Sequence, residues 1–169
     1  MDSVVGIISD THGLLRPEAL EALRGSQLII HAGDIGAPQI LQALARIAPV
    51  RAIRGNIDLH PTTRKVGAWR GPRLEPWAEG LPETDVVGIG GAHLYVLHDL
   101  KQLDLSPQAA GFAAVISGHS HHPGQKVRQG VLYFNPGSAG PRRFRLPVSV
   151  GRLYVSDGRV RGEIILLAV

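Results

Sequence analysis

Residues 3–13 read SVVGIISDTHG. The first seven are a short apolar, β-branched run bounded by polar residues, which reads as a buried strand. It ends in Asp10, Thr11, His12 and Gly13, so a carboxylate and an imidazole stand where the strand gives way to a loop. The pattern then repeats. RPEALEALRG (16–25) is a helix with Pro17 in its first turn and Gly25 as its stop, and QLIIHAGD (27–34) is a second strand. APQILQALARIAP (37–49) is a second helix with Leu41, Leu44, Ala45 and Ala48 at helical spacing, and VRAIRGN (50–56) is a third strand. Strands alternating with helices through short connections imply right-handed βαβ units and a parallel sheet.

Further along, the pattern changes. Residues 61–84 are rich in proline and glycine and give no clear element. DVVGIGG (85–91), AHLYVLHD (92–99) and AAVIS (113–117) read as strands, with SPQAAGF (106–112) expected as a short helix. QKVRQG (125–130) leads into VLYFNPGS (131–138) as a hairpin, and residues 148–169 alternate around Asp157-Gly158, a pair suited to a type I′ turn. The expected architecture is one α/β domain over residues 1–169, parallel or mixed early and antiparallel at the carboxyl end, with two sheets packed together.

Composition narrows the function classes. The chain has 169 residues, 44% hydrophobic and 19% charged, and no cysteine. Any metal must therefore be held by nitrogen and oxygen, which excludes zinc ribbons and iron–sulfur clusters. The amino-terminal apolar run has no basic flank and is too short for a signal peptide, and no run reaches the length of a membrane span. A cytoplasmic protein without a membrane partner is expected. The net charge of +4 invites a nucleic-acid reading, but aromatic residues are only 5% and offer no stacking platform. The arginines are scattered, apart from Arg142, Arg143 and Arg145 in PRRFR and a looser set at Arg64, Lys65, Arg70 and Arg73. This favours a solvated surface, or one that attracts an anionic substrate, over a polynucleotide-binding face.

Five strand ends carry groups that could do chemistry: Asp10 and His12; Asp34 after Gly33; Asn56 after Gly55; His98 before Asp99; and His119 and His121 in GHSHH (118–122). In open α/β sheets, ligands bind beyond the carboxyl ends of strands. Each residue alone has an ordinary explanation. Asp10 and Asp34 could cap turns, Asn56 could form one, and His98 could be a satisfied core histidine. Those explanations would have to hold independently at equivalent positions on five strands, and histidine is not a turn former. A mixed nitrogen and oxygen set suits Mn²⁺, Fe, Zn²⁺, Ni²⁺ or Co²⁺. A carboxylate such as Asp34 can bridge two ions, and His119 and His121 could each serve one.

DTH, GD, GN, a mid-chain histidine and GHSH, in this order from Asp10 to the NPGS of 135–138, resemble the calcineurin-like metallophosphoesterases. The small size resembles their compact phosphodiesterase branch, which includes the phosphoesterase-like retromer subunit. The resemblance implies a β-sandwich flanked by helices and two divalent ions, with manganese favoured. It further implies that Asp10, His12 and His121 bind one ion, that Asn56, His98 and His119 bind the other, and that Asp34 bridges them. The expected reaction is hydrolysis of a small phosphate ester, most simply a diester, by a hydroxide on the two ions. His122 takes no family role and is expected at the solvent or the substrate rim. Two departures stand out: Ile57 occupies a position often held by a histidine that assists the leaving group, and Asp99-Leu100 follows His98 where Gly-His is usual. Asp58, His60 or Asp99 are candidates for outer contacts. The competing reading is a catalytically silent scaffold that binds proteins.

Overall fold

The computed structural model describes residues 1–61, 72–74 and 76–169. The expectations placed on Arg64, Lys65 and Arg70 lie outside the described residues, as do those on the side chains of His60 and Arg73. The first sheet takes β1 (Ser3–Ile8), β2 (Leu28–His31) and β3 (Val50–Ala52) as parallel neighbours, linked through α1 (Pro17–Ala22) and α2 (Pro38–Leu44). Both helices start on proline, whose fixed φ suits a first turn and whose missing N–H has no partner to lose there.

Two short strands, β4 (Leu59–Pro61) and β5 (Pro72–Leu74), pair with each other. The second sheet contains β6 (Thr84–Ile89), β7 (Ala92–Leu97), β8 (Ala114–Ile116), β9 (Gly124–Arg128) and β10 (Val131–Asn135), in the order β6-β7-β8-β10-β9. The chain then returns to the first sheet with β11 (Ser149–Ser156) and β12 (Arg159–Leu166), giving the order β12-β11-β1-β2-β3. The architecture is the expected two-sheet sandwich, with mixed pairing in both sheets. The hairpin turns are as the sequence suggests: Asp157 and Gly158 both have positive φ, and Gln129-Gly130 closes β9–β10 in the same way.

The sandwich interior is apolar from both sides. Val5, Ile7, Ile30, Leu153 and Val155 of the first sheet pack against Leu94, Val96, Ile116 and Phe134 of the second. Leu23, Ile40 and Leu44 seal the outer face of the first sheet beneath the helices. The outer face of the second sheet is covered by loop residues Leu103, Leu105 and Phe112, which pack on Tyr95, Leu97, Val115 and Val131. Among the described residues, both α-helices therefore lie on the outer face of the first sheet.

The helix expected at 106–112 is absent, and a hydrogen-bonded turn stands in its place. Ala110 N–H reaches Ser106 O at 3.0 Å, but Gly111 with φ +79° ends the winding after one turn. A single turn cannot repay the nucleation cost of a helix.

Candidate metal centre

All the singled-out strand ends meet at one edge of the sandwich. Asp10 follows β1, Asp34 follows β2, Asn56 follows β3, His98 follows β7, and His119 and His121 follow β8. Backbone bonds lock these loops together: Asp10 N–H to Gly33 O and His12 N–H to Asp34 O within the first sheet, and Gly118 N–H to His98 O within the second, each at 3.0 Å. His119 N–H donates to Asp10 Oδ2 at 3.0 Å, tying one sheet to the other.

The backbone here is unusual. Asp10, His12, Asp34, His119 and His121 all have φ between +47° and +68°. Side-chain-bearing residues rarely occupy this left-handed region, and it concentrates at functional sites where packing over-determines it. The glycines that precede two of the site residues are sterically required. A β-carbon on Gly118 would collide with Ser9 Oγ and Asp10 Oδ2, and one on Gly55 would collide with the Asp34 carboxylate.

Two triads emerge: Asp10, His12 and His121, and Asp34, His98 and His119. Within each, one ligand atom per residue lies within 4.8 Å of the others. Asp34 Oδ2 stands between them, 3.5 Å from His12 Nε2 and 3.3 Å from His98 Nε2. Asp10 Oδ1 is 3.4 Å from His121 Nε2 and 3.8 Å from His12 Nε2. Four buried polar atoms here have no hydrogen-bond partner: Asp10 Oδ1, His12 Nε2, His98 Nε2 and His121 Nδ1. Orphaned buried polar atoms are costly. Four of them on the candidate residues, nitrogen and oxygen only, fit divalent cations.

Second contacts aim these atoms. His98 Nδ1 lies 2.7 Å from Ala32 O, so that nitrogen carries the proton and Nε2 keeps its lone pair for the centre. Asn56 Oδ1 lies 3.2 Å from His119 Nδ1 and orients that ring likewise. Burial alone would raise the Asp10 carboxyl, but His12, His121, Ser9 and the nearby His98 hold it far below the ordinary range. The same contest lowers Asp34, whose main partner is His98. Burial pulls His98 down, but Asp34 and Asp10 outweigh it and raise its pKa.

Several contributors went unread in the sequence. Ser9 Oγ donates to Asp10 Oδ2 at 2.7 Å, and Ser138 Oγ donates to the Asp10 carbonyl at 3.0 Å. His31 is fully buried, and burial pushes its pKa down to about 3. Its Nδ1 accepts from Gly33 N–H, so the neutral ring presents Nε2–H to Thr11 Oγ1 at 3.0 Å, which in turn donates to Ile35 O at 2.8 Å. Asn135 Nδ2 donates to Gly118 O and Ser120 Oγ. A histidine inside an apolar strand and hydroxyls on both sides of Asp10 were the available signals.

The remaining candidates fall around the rim. Asp58 is buried, and its carboxylate accepts N–H bonds from Ile35, Gly36 and Gly55. It fixes the turns that carry Asp34 and Asn56 and touches no candidate ligand side chain. Asp99 Oδ2 is 3.8 Å from His119 Nε2. Ile57 is 37% exposed and gives its N–H to Asp34 Oδ1. His122 is exposed at the mouth of a cleft. Arg142, Arg143 and Arg145 are exposed, with Arg142 donating to Val169 O.

A two-sheet sandwich with two nitrogen and oxygen triads at its strand ends defines a metallophosphoesterase architecture. The model of the calcineurin-like phosphoesterase superfamily domain matches residues 4–158, and the chain belongs to that family, whose members bind divalent metals. A curated probable metallophosphoesterase from Methanothermobacter thermautotrophicus is 34% identical over 169 residues, covering 96% of this chain and 91% of the relative. Among solved structures, an archaeal phosphodiesterase superposes with TM-score 0.71 at 22% identity, covering 96% of this chain and 99% of the other. Vps29 from Chaetomium thermophilum superposes with TM-score 0.71 at 16% identity, covering 96% of each chain. These two likenesses are of fold. Among the described residues, no helix is long and apolar enough to cross a membrane.

Proposed function

We propose that the chain, as one domain over residues 1–169, is a phosphodiesterase working with two divalent ions, manganese first among them. Asp10, His12 and His121 would hold one ion and Asn56, His98 and His119 the other, with Asp34 shared. The observation that carries this reading is the set of four partnerless buried atoms at the junction of the two sheets. A protein-binding scaffold is the reading consistent with the Vps29 likeness, and protein binding by itself does not require such atoms. Bound ions supply Lewis acidity toward phosphoryl oxygens and acidify a water.

The chain's own residues do the rest. Ala32 O fixes the tautomer of His98, and Asn56 that of His119. Ser9 and His119 N–H occupy Asp10 Oδ2, leaving Oδ1 for the centre. Asp34 Oδ1 is occupied by Ile57 N–H, which leaves Oδ2 facing both triads.

Chelator-stripped protein should lose hydrolysis of bis-p-nitrophenyl phosphate, and Mn²⁺ should restore it saturably with two ions bound per chain. Turnover that survives stripping, or a stripped protein that takes up no metal, would refute the reading. A second result follows from Ile57, which offers no proton to a leaving group. Esters with alkyl leaving groups should lag aryl ones by on the order of 10²–10⁴-fold, the contribution of the missing general acid. Equal rates on both at saturating Mn²⁺ would overturn that role for position 57.

A further inference from the structure

Two clefts open from the candidate centre and share Asp99 and His119 in their walls. They differ in charge. One, of about 570 Å³, carries Glu83 and Asp104, and its Arg54 is already paired with Glu83 at 2.9 Å. The other, of about 620 Å³, carries Lys101, Lys126 and Arg128. Among the described residues, none of these three cations has a carboxylate partner.

The basic cleft is built by the sheet itself. Its floor is Tyr133 on β10, directly opposite Lys126 on β9, and the Arg128 guanidinium lies 5.7 Å from the centre of the Tyr133 ring. Residues 124, 126 and 128 share one face of β9, because side chains alternate along a strand. That face runs about 13 Å outward at the usual strand rise. Leu100 and Lys101, on the 3-10 turn Leu100–Gln102, also line it. His119 of the candidate centre lines it as well. The volume is within the ordinary range of ligand pockets.

A guanidinium lying over an aromatic floor offers its own flat face to a planar ring, and three cations without carboxylate partners call for a negative charge beyond that ring. We propose that this cleft is a subsite for one arm of the substrate, an aromatic, nucleoside-like group bearing a second phosphate. The substrate class is then a phosphorylated dinucleotide-type diester. The scissile phosphate sits at the paired triads, and the terminal phosphate meets Lys101, Lys126 and Arg128. The acidic cleft repels such an arm, so the two clefts fix the direction in which the diester lies. This inference rests on the phosphodiesterase reading.

The test is calorimetric titration of the full chain, supplied with Mn²⁺, with adenosine 3′,5′-bisphosphate and with adenosine 5′-monophosphate. The same titrations are made on Lys101→Ala/Lys126→Ala, whose side chains lie on the surface and whose loss leaves Arg128 on Tyr133. The intact protein should hold the bisphosphate at least about tenfold more tightly, the effect of one well-placed charged hydrogen bond. The double variant should lose that gap while keeping its affinity for the monophosphate. Equal affinities in the intact protein, or a gap that survives in the variant, overturn the subsite. Hydrolysis of bis-p-nitrophenyl phosphate by the intact protein is measured alongside. Its absence in the intact protein refutes the phosphodiesterase reading, while the binding arm still decides the cleft.

Discussion

Asp34→Asn should abolish turnover of bis-p-nitrophenyl phosphate, by on the order of 10³-fold or more, and reduce the metal retained after dialysis below two ions per chain. Outer contacts of metal ligands are worth roughly 10–100-fold. A carboxylate oxygen 3.5 Å from His12 Nε2 and 3.3 Å from His98 Nε2 serves both triads at once, so its loss should cost more than that. The substitution keeps the side-chain volume and can keep the bond from Ile57 N–H, which separates loss of charge from loss of packing. Elemental analysis and steady-state rates on the same sample give the answer. Two retained ions with near-normal turnover would remove Asp34 from the centre.

The second large effect concerns a residue that touches no candidate ligand side chain. Asp58→Ala should destabilise the fold by about 3–4 kcal/mol, because two buried N–H groups and a part-buried one lose a charged acceptor together. For a chain of this size that is a fall in melting temperature of about 10 °C. The donors belong to Ile35, Gly36 and Gly55, so the turns holding Asp34 and Asn56 loosen as well. Metal affinity should fall by roughly 10–100-fold. Asp58→Asn keeps the shape and one acceptor oxygen, and should fall between the two. A melting temperature within 2 °C of the parent for Asp58→Ala would show that these bonds carry no net weight.

Much of this molecule can be read from its sequence because its strands are short, apolar and punctuated. The first three strands and two helices follow from β-branched runs, Pro17, Pro38 and Gly25. The set Asp10, His12, Asp34, His98, His119 and His121 follows from which residue types stand at the strand ends. Asn56 is brought to the same place, but its oxygen faces His119 Nδ1. What the sequence hides is long-range. Nothing local says that β11 inserts beside β1, with Ser3 opposite Val155, and completes the sheet on the far side from β2. The turn at 106–112 looks helical by composition, and the positive φ of Gly111 stops it. His31 and Thr11 pass for an ordinary strand residue and an ordinary loop residue, and only burial shows them bonded to each other.

The seam where the two sheets meet has a consequence for how the protein is made. Asp10 is tied to His119 across 109 positions and to Ser138 across 128. β1 also lacks its second neighbour until residues 149–156 have left the ribosome. A nascent chain therefore carries its first candidate metal-binding loop through most of translation without the contacts that the second sheet and Ser138 supply. On the two-ion proposal, ion capture should be a late event in biosynthesis. Truncated products, which lack the strands that finish the seam, should leave the ribosome empty of metal.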